Sequence, residues 1–192
     1  MSREITIAID AMGGENSPKK IVEGIEIYLK RKKYMTFLLY GDEKKINSYL
    51  QKYPLAKSCC QIFNNEEVVQ DNESPLSAAK KGEATGMWNS INSQKKNNAH
   101  ITLSAGNTGA LLIISKMILS MIEKIDKPAL AGLWPNNIGM NVVLDLGANI
   151  ECNEKNLIDF SHMGAALHNA LFPNESSNVA LLNVGLEEIK GN

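Results

Sequence analysis

The stretch Ser104-Ala105-Gly106-Asn107-Thr108-Gly109-Ala110 follows the strand-like His100-Ile101-Thr102-Leu103 and opens an apolar run from Ala110 to Met121. A chain that leaves a strand on two glycines and a hydroxyl and then enters a helix presents bare backbone N–H groups at a helix N-terminus, which is an anion site. The pattern recurs. Asp10-Ala11-Met12-Gly13-Gly14 follows Ile5-Thr6-Ile7-Ala8-Ile9, and Asp145-Leu146-Gly147-Ala148-Asn149 follows Asn141-Val142-Val143-Leu144. Strand–helix turns use glycine for left-handed backbone angles whatever a protein does. Three such loops at carboxyl ends of strands are nevertheless expected to converge on one crevice, where open α/β sheets bind their ligands.

Working outward, Ser17-Pro18 supplies an N-cap and a first-turn proline for a helix to about Lys33, with Ile21, Val22, Ile25, Tyr28 and Leu29 at spacings of three and four on its buried face. Met35 to Tyr40 reads as a second strand, Asp42 as the cap of a helix containing Ile46, Tyr49 and Leu50, and Cys60 to Phe63 as a short third strand. Asn64 to Asn98 is polar. Ser74-Pro75 restarts a helix there that Gly82 and Gly86 interrupt, and residues 64–98 are expected as a polar helical flap or a projecting helical pair. His100 to Leu103, Leu130 to Trp134, Asn141 to Leu146 and Asn178 to Val184 read as strands, with helices at Thr108 to Glu123 and Glu154 to Leu171. The fold class is α/β: one domain over residues 1–192, three-layer α/β/α, with a doubly wound, mostly parallel sheet. Pro135-Asn136-Asn137 joins its two flanking strands as a hairpin, so one strand is expected to be antiparallel.

Twenty basic and twenty-one acidic side chains in 192 residues give a formal charge of −1, which provides no global footprint for nucleic acid. Lys30-Arg31-Lys32-Lys33 closes the first helix as a solvated face suited to its dipole. Met1-Ser2-Arg3-Glu4 leads straight into a strand, with neither a secretory segment nor a spanning helix, so a cytoplasmic protein is expected, a peripheral membrane position being left open. Three cysteines, two of them adjacent at Cys59 and Cys60, do not form a disulfide framework; Cys152 is expected as a small buried hydrophobe. His100, His162 and His168 lack the spacing of a zinc site, and no metal is expected. The chain has no Gly-x-Gly-x-x-Gly, P-loop or Gly-x-Ser-x-Gly motif, which argues against a dinucleotide fold, a P-loop hydrolase and a serine-elbow esterase.

In order, Asp10-Ala-Met-Gly-Gly, Ser104-Ala-Gly-Asn-Thr-Gly-Ala, Leu144-Asp-Leu-Gly-Ala-Asn and Leu181-Leu-Asn-Val-Gly-x-Glu-Glu-Ile-Lys-Gly-Asn192 closely resemble the bacterial phosphate acyltransferase (PlsX) family of fatty acid/phospholipid synthesis proteins. The resemblance is strong in those blocks and loose between residues 50 and 98. Glu15-Asn16 stands where the family has Asp-His, Thr85-Gly86 where it has Ser-Ser, and Leu186 where an acidic residue follows the glycine. Family members continue well beyond Asn192, so the chain corresponds to their N-terminal half. The resemblance implies an isocitrate/isopropylmalate dehydrogenase-like sheet. It also implies conversion of acyl-[acyl carrier protein] and inorganic phosphate to acyl phosphate without a cofactor, by a homodimer. An acyl phosphate-dependent glycerol-3-phosphate acyltransferase would be the downstream acceptor.

That reaction requires no serine or cysteine intermediate, because phosphate is itself a nucleophile and a thioester carbonyl is reactive. It requires a place that holds a dianion against a carbonyl and stabilises the developing oxyanion. The backbone of Gly106 to Gly109, the Asn107 amide and the Thr108 hydroxyl suit the phosphate, with capping of the next helix as the alternative role for Asn107. Lys190, beside Gly191, is the chosen cation, with Glu187 and Glu188 as its orienting groups or as plain surface charge. Catalytic roles therefore fall to Lys190 and Asn107. Phosphate or substrate contacts fall to Gly13, Gly14, Ser104, Gly106, Thr108, Gly109, Asp145, Gly147, Asn149 and Gly185. Asp10 and Asp145 read as loop organisers accepting backbone N–H bonds, and Asn149 as either a substrate contact or a helix cap. Two other functions compete: a phosphate acetyltransferase-like enzyme using acyl-coenzyme A, and a non-catalytic domain docking the acidic carrier protein on Lys30 to Lys33 or Lys80-Lys81.

Overall fold

In the first strand, Ile5–Asp10 (β1), successive side chains alternate between two buried faces, and this alternation sets the layering around it. The structure, a computed structural model, describes residues 5–31 and 35–182. The chain divides into two compact units, Met1–Ser120 and Met121–Asn192.

In the first unit β1 is followed by α1 (Lys19–Arg31), β2 (Met35–Gly41), α2 (Glu43–Leu50), α3 (Pro54–Cys59) and β3 (Cys60–Asn64). Then come α4 (Pro75–Lys81), a 3-10 turn (Gly82–Ala84), α5 (Gly86–Lys95), β4 (Ile101–Ser104) and α6 (Thr108–Leu119). The four strands form one parallel sheet in the order β3-β2-β1-β4. Ile9, Phe37 and Leu39 point to one face, where they pack with Val22, Ile25 and Leu29 of α1 and with Ile46, Leu50 and Ala56. Ala8, Leu38 and Tyr40 line the opposite face, which α5 covers. Behind α5 a second core joins Met87 and Ile91 to Ala78 and Ala79 of α4 and to Ala110 and Ile114 of α6. The result is a three-layer α/β/α arrangement.

Several expected boundaries hold. Asp42 caps α2 by accepting from the Lys45 N–H at 3.0 Å, and Ser74 caps α4 ahead of Pro75. Others do not. α1 opens at Lys19, because the Ser17 hydroxyl, expected as its cap, donates to the Gly13 carbonyl at 2.6 Å instead. α6 ends at Leu119, where Ser120 turns to a φ of 66°. The stretch 64–98 does not project: α5 lies on the sheet, with Met87, Ser90 and Ile91 at 1 % exposure or less. Its small hydroxyl side chains let it approach the strands closely, and the Ser90 hydroxyl is satisfied by the Met87 carbonyl.

In the second unit, β5 (Gly132–Pro135) and β6 (Met140–Val143) form the expected hairpin, but they pair antiparallel with each other as a separate two-stranded sheet. The Asn136 carboxamide oxygen accepts the Ile138 and Gly139 N–H groups to close the turn. A helix, α7 (Glu154–Leu171), begins on a reciprocal capping box between Asn153 and Asn156. Of the strand expected over Asn178 to Val184, residues 178–182 form no ladder, with Val179, Leu181 and Leu182 exposed, while Val184 lies outside the described residues. A strand needs a neighbour to satisfy its backbone, and no described strand lies alongside this segment. Among the described residues no helix is long and apolar enough to cross a membrane.

The short helix α3 has no side-chain cap of its own at Tyr53. Glu26, buried on α1, supplies one: its Oε2 accepts the Ala56 N–H at 2.9 Å. Glu26→Ala is expected to lower stability by about 1.5–3 kcal/mol, the range for a hydrogen bond to a charged group. Glu26→Gln, which keeps an acceptor, is expected to cost less than half of that. Urea midpoints of the two variants check the order.

Candidate functional site

The carboxyl ends of β1 and β4 lie side by side, because Asp10 pairs in register with Ser104. Beyond β1 the chain crosses to the α1 face; beyond β4 it enters α6, which packs with α4 and α5 on the other side. This is a switch point of a doubly wound sheet. The two glycine-bearing loops meet here. The Ser104 hydroxyl donates to Asp10 Oδ2 at 2.8 Å and accepts the Gly106 N–H at 3.2 Å. A Cβ on Gly13 would lie 2.9 Å from the Gly106 nitrogen, and one on Gly14, whose φ is +75°, would lie 2.1 Å from the Ala105 carbonyl oxygen. The approach is backbone to backbone, and no side chain fits between.

Asp10, 3 % exposed, is the buried carboxyl beneath this contact. Burial pushes its pKa above the ordinary carboxylate value, against the opposing pull of the Ser104 hydroxyl and the Met12 and Gly13 N–H groups. The start of α5 presses on it: a Cβ on Gly86 would stand 2.7 Å from the Tyr40 carbonyl oxygen and 3.3 Å from Asp10 Oδ1. Thr85, fully buried, caps α5 by accepting the Trp88 N–H at 3.2 Å. The positive end of that helix therefore faces the carboxylate.

Asn107 stands at the N-cap of α6, its Oδ1 accepting the Ala110 N–H at 2.9 Å. Its Nδ2 donates to the carbonyls of Gln70, Asp71 and Glu73 at 3.3, 3.1 and 2.8 Å. Both ends of the amide are engaged, so the side chain fixes the helix start and ties the 70–73 loop to it. The N–H groups of Thr108 and Gly109, first in the helix, have no intrahelical partner, and Thr108 is exposed. Gly109 packs under Pro75, whose Cγ would be 2.8 Å from a Cβ there. The 67–73 loop is held by Lys81, which donates to Glu73 Oε2 at 2.7 Å and to the Val68 carbonyl at 3.2 Å. The Lys81 ammonium beside it lowers the Glu73 pKa. Lys81 is thus committed inside the unit, whereas Lys80, Lys30 and Arg31 are exposed and Lys32 and Lys33 lie outside the described residues.

Sequence reasoning passed over Lys20. Its Nζ would be 2.8 Å from a Cβ on Gly14, and it forms no ion pair among the described residues. The available signal was a lysine in the first turn of the helix that follows a Gly-Gly loop.

In the second unit, Asp145 Oδ1 accepts the Leu130 N–H at 2.7 Å, and Oδ2 accepts the Asn149 N–H at 2.7 Å. The Asn149 amide donates to Asp145 and to the Pro128 carbonyl, and Gly147 has a φ of +78°. Cys152 is exposed rather than buried, because it lies in the irregular segment ahead of α7. The Cys60 thiol is pushed up to about 12 by burial. Gly185, Glu187, Glu188 and Lys190 lie outside the described residues.

Residues 5–192 match the family described as Fatty acid synthesis protein. The chain is 54% identical over 192 residues to a phosphate acyltransferase of Pelagibacter ubique, covering 100% of this chain and 57% of that protein. Against a phosphate acyltransferase of Maricaulis maris it is 43% identical over 189 residues, 97% of this chain and 54% of the relative. For one from Paramagnetospirillum magneticum the figures are 40% over 192 residues, 100% and 55%. The chain spans about half the length of these curated relatives. It belongs to the fatty acid synthesis protein family.

Gly14→Ala places a methyl group into the Ala105 carbonyl at a left-handed φ and is expected to cost about 2 kcal/mol or more, read as a fall in the urea midpoint. Asp10 gives a pH signature. A carboxyl whose folded pKa is raised holds a proton that the unfolded chain releases, so its contribution to stability declines as pH rises from near 3.8 through the raised value. Asp10→Asn is expected to flatten that decline above about pH 4. Parallel stability profiles for the two proteins would contradict this.

Proposed function

We propose, taking that family membership as the premise, that the protein takes part in converting acyl-[acyl carrier protein] and inorganic phosphate to acyl phosphate and free carrier thiol. In this reading it acts in the cytoplasm as a homodimer, and its product feeds an acyl phosphate-dependent glycerol-3-phosphate acyltransferase. The observation that carries the reading is the contact of Gly13 and Gly14 with Ala105 and Gly106, just ahead of the N-terminus of α6. A dianion seated there would meet backbone N–H groups and a helix dipole, with the Lys20 ammonium against Gly14.

In the reaction a phosphate oxygen attacks the thioester carbonyl, the new C–O bond forms, the C–S bond breaks, and the hydrogen phosphate proton leaves on the carrier thiol. The Thr108 and Gly109 N–H groups and the Thr108 hydroxyl bind phosphate, and Lys20 offsets its charge from the Gly14 side. Asn107, its amide engaged on both sides, serves as a positioning residue for that helix end. Ser104 and Asp10 hold Gly106 and Gly13 in place. The family resemblance assigns the oxyanion to Lys190, and substrate contacts to Asp145, Gly147, Asn149 and Gly185.

Phosphate-dependent release of carrier thiol, followed on this chain and on a longer parent protein, tests the reading. Asn107→Ala and Lys190→Ala are each expected to slow release by about tenfold or more, roughly 1.4 kcal/mol. Unchanged rates in both variants would remove the site, and turnover of acyl-coenzyme A in preference to the carrier thioester would move the protein to the competing enzyme class.

A further inference from the structure

On the α1 face of the sheet, the β1/β4 seam carries an open groove of ≈ 270 Å³. Its floor is Ile7, Ile9 and Leu103, and α1 forms a wall with Ile21 and Tyr28. The groove exists for two reasons. α6, the helix that follows β4, packs with α4 and α5 on the other side, so Ile101 and Leu103 stay about half exposed (51% and 49%) on the edge strand. Gly24 supplies the second. Positions 20, 21, 24 and 28 share one stripe of α1 by their helical spacing, and at 24 there is no side chain to fill the space: a Cβ there meets nothing within 4 Å. Glycine inside a helix costs about 1 kcal/mol relative to alanine, and no close packing explains it at this position.

Chemistry along the groove is polarised. Lys20 is the one charged residue among the described residues lining it, and its ammonium lies against Gly14, at the end where the two glycine loops meet. An apolar trough closed by one cation that has no ion pair among the described residues complements a linear amphiphile with an anionic head. We propose that this groove holds an alkyl chain whose anionic head group lies against the Lys20 ammonium at the Gly13-Gly14 end of the groove. Resting on the function proposed above, the occupant is the acyl chain of the substrate and of the acyl phosphate product.

Calorimetric titration with octyl phosphate, inorganic phosphate and octanol tests the assignment. Octyl phosphate is expected to bind about tenfold or more tighter than inorganic phosphate. Gly24→Leu, which fills the trough and raises helix propensity, is expected to weaken octyl phosphate by about tenfold while leaving inorganic phosphate within about twofold. Leu103→Asn, a change on the half-exposed edge strand, is expected to weaken octyl phosphate in the same selective way and gives an independent reading should Gly24→Leu not fold. Lys20→Gln should weaken octyl phosphate but not octanol. Octyl phosphate binding no tighter than inorganic phosphate, or binding unchanged in Gly24→Leu and Leu103→Asn, overturns the proposal. The thiol-release assay separates the two ideas: release by a protein that binds no alkyl phosphate discards the groove and keeps the reaction, whereas selective alkyl phosphate binding without release keeps the groove and discards the reaction.

Discussion

The contact on which the first unit turns is one of backbone against backbone, Gly14 over the Ala105 carbonyl and Gly13 over the Gly106 nitrogen. It needs the parallel register that sets Asp10 beside Ser104, and it needs the absence of Cβ atoms at both glycines. Given those two conditions the remaining geometry follows. The β4 loop is drawn close enough for Ser104 to bridge Asp10 and Gly106, and α6 starts from a fixed point. Its first amides have no partner within the helix.

A second constraint is the burial of Asp10 in the middle of this contact. An ionised carboxyl away from water is costly unless donors surround it, and here they are the Ser104 hydroxyl and the Met12 and Gly13 N–H groups, with the start of α5 packed against them. The polar segment between β3 and β4 is thereby tied to the site at two points, through Gly86 beneath the carboxyl and through the carbonyls of residues 70, 71 and 73 on the Asn107 amide. Lys81 clamps the same loop from its other side.

Much of this was legible in the sequence, and the parts that were not share a physical cause. Asp42 and Ser74 announce their helices because capping is a bond between near neighbours. The strands β1 and β2 read directly as apolar runs bounded by turn residues. Burial of α5 escaped notice because Ser90 and Ser93 look like surface residues until the sheet lies against them. α3 was missed because its cap, Glu26, comes from another helix. Asn107 was readable as a cap or as a ligand group; only the positions of three distant carbonyls show how its amide is occupied. Lys20 had only its place in the first turn after a Gly-Gly loop, and Gly24 had no local signature, since a glycine on a helix acquires meaning only from what stands across from it.

The pairing of β1 with β4 also has a topological consequence. Asp10 and Ser104 are 94 positions apart, whereas β1 and β2 join across roughly 30 residues. Closing the longer loop costs about 1 kcal/mol more in chain entropy, and it requires the whole crossover between β3 and β4 to be laid down. The contact between the two loops is therefore a long-range product of the tertiary structure, without an independent existence in either loop. Any ligand that bound across the two loops would favour chains in which this distant seam is closed, and so reinforce the architecture that brought the loops together.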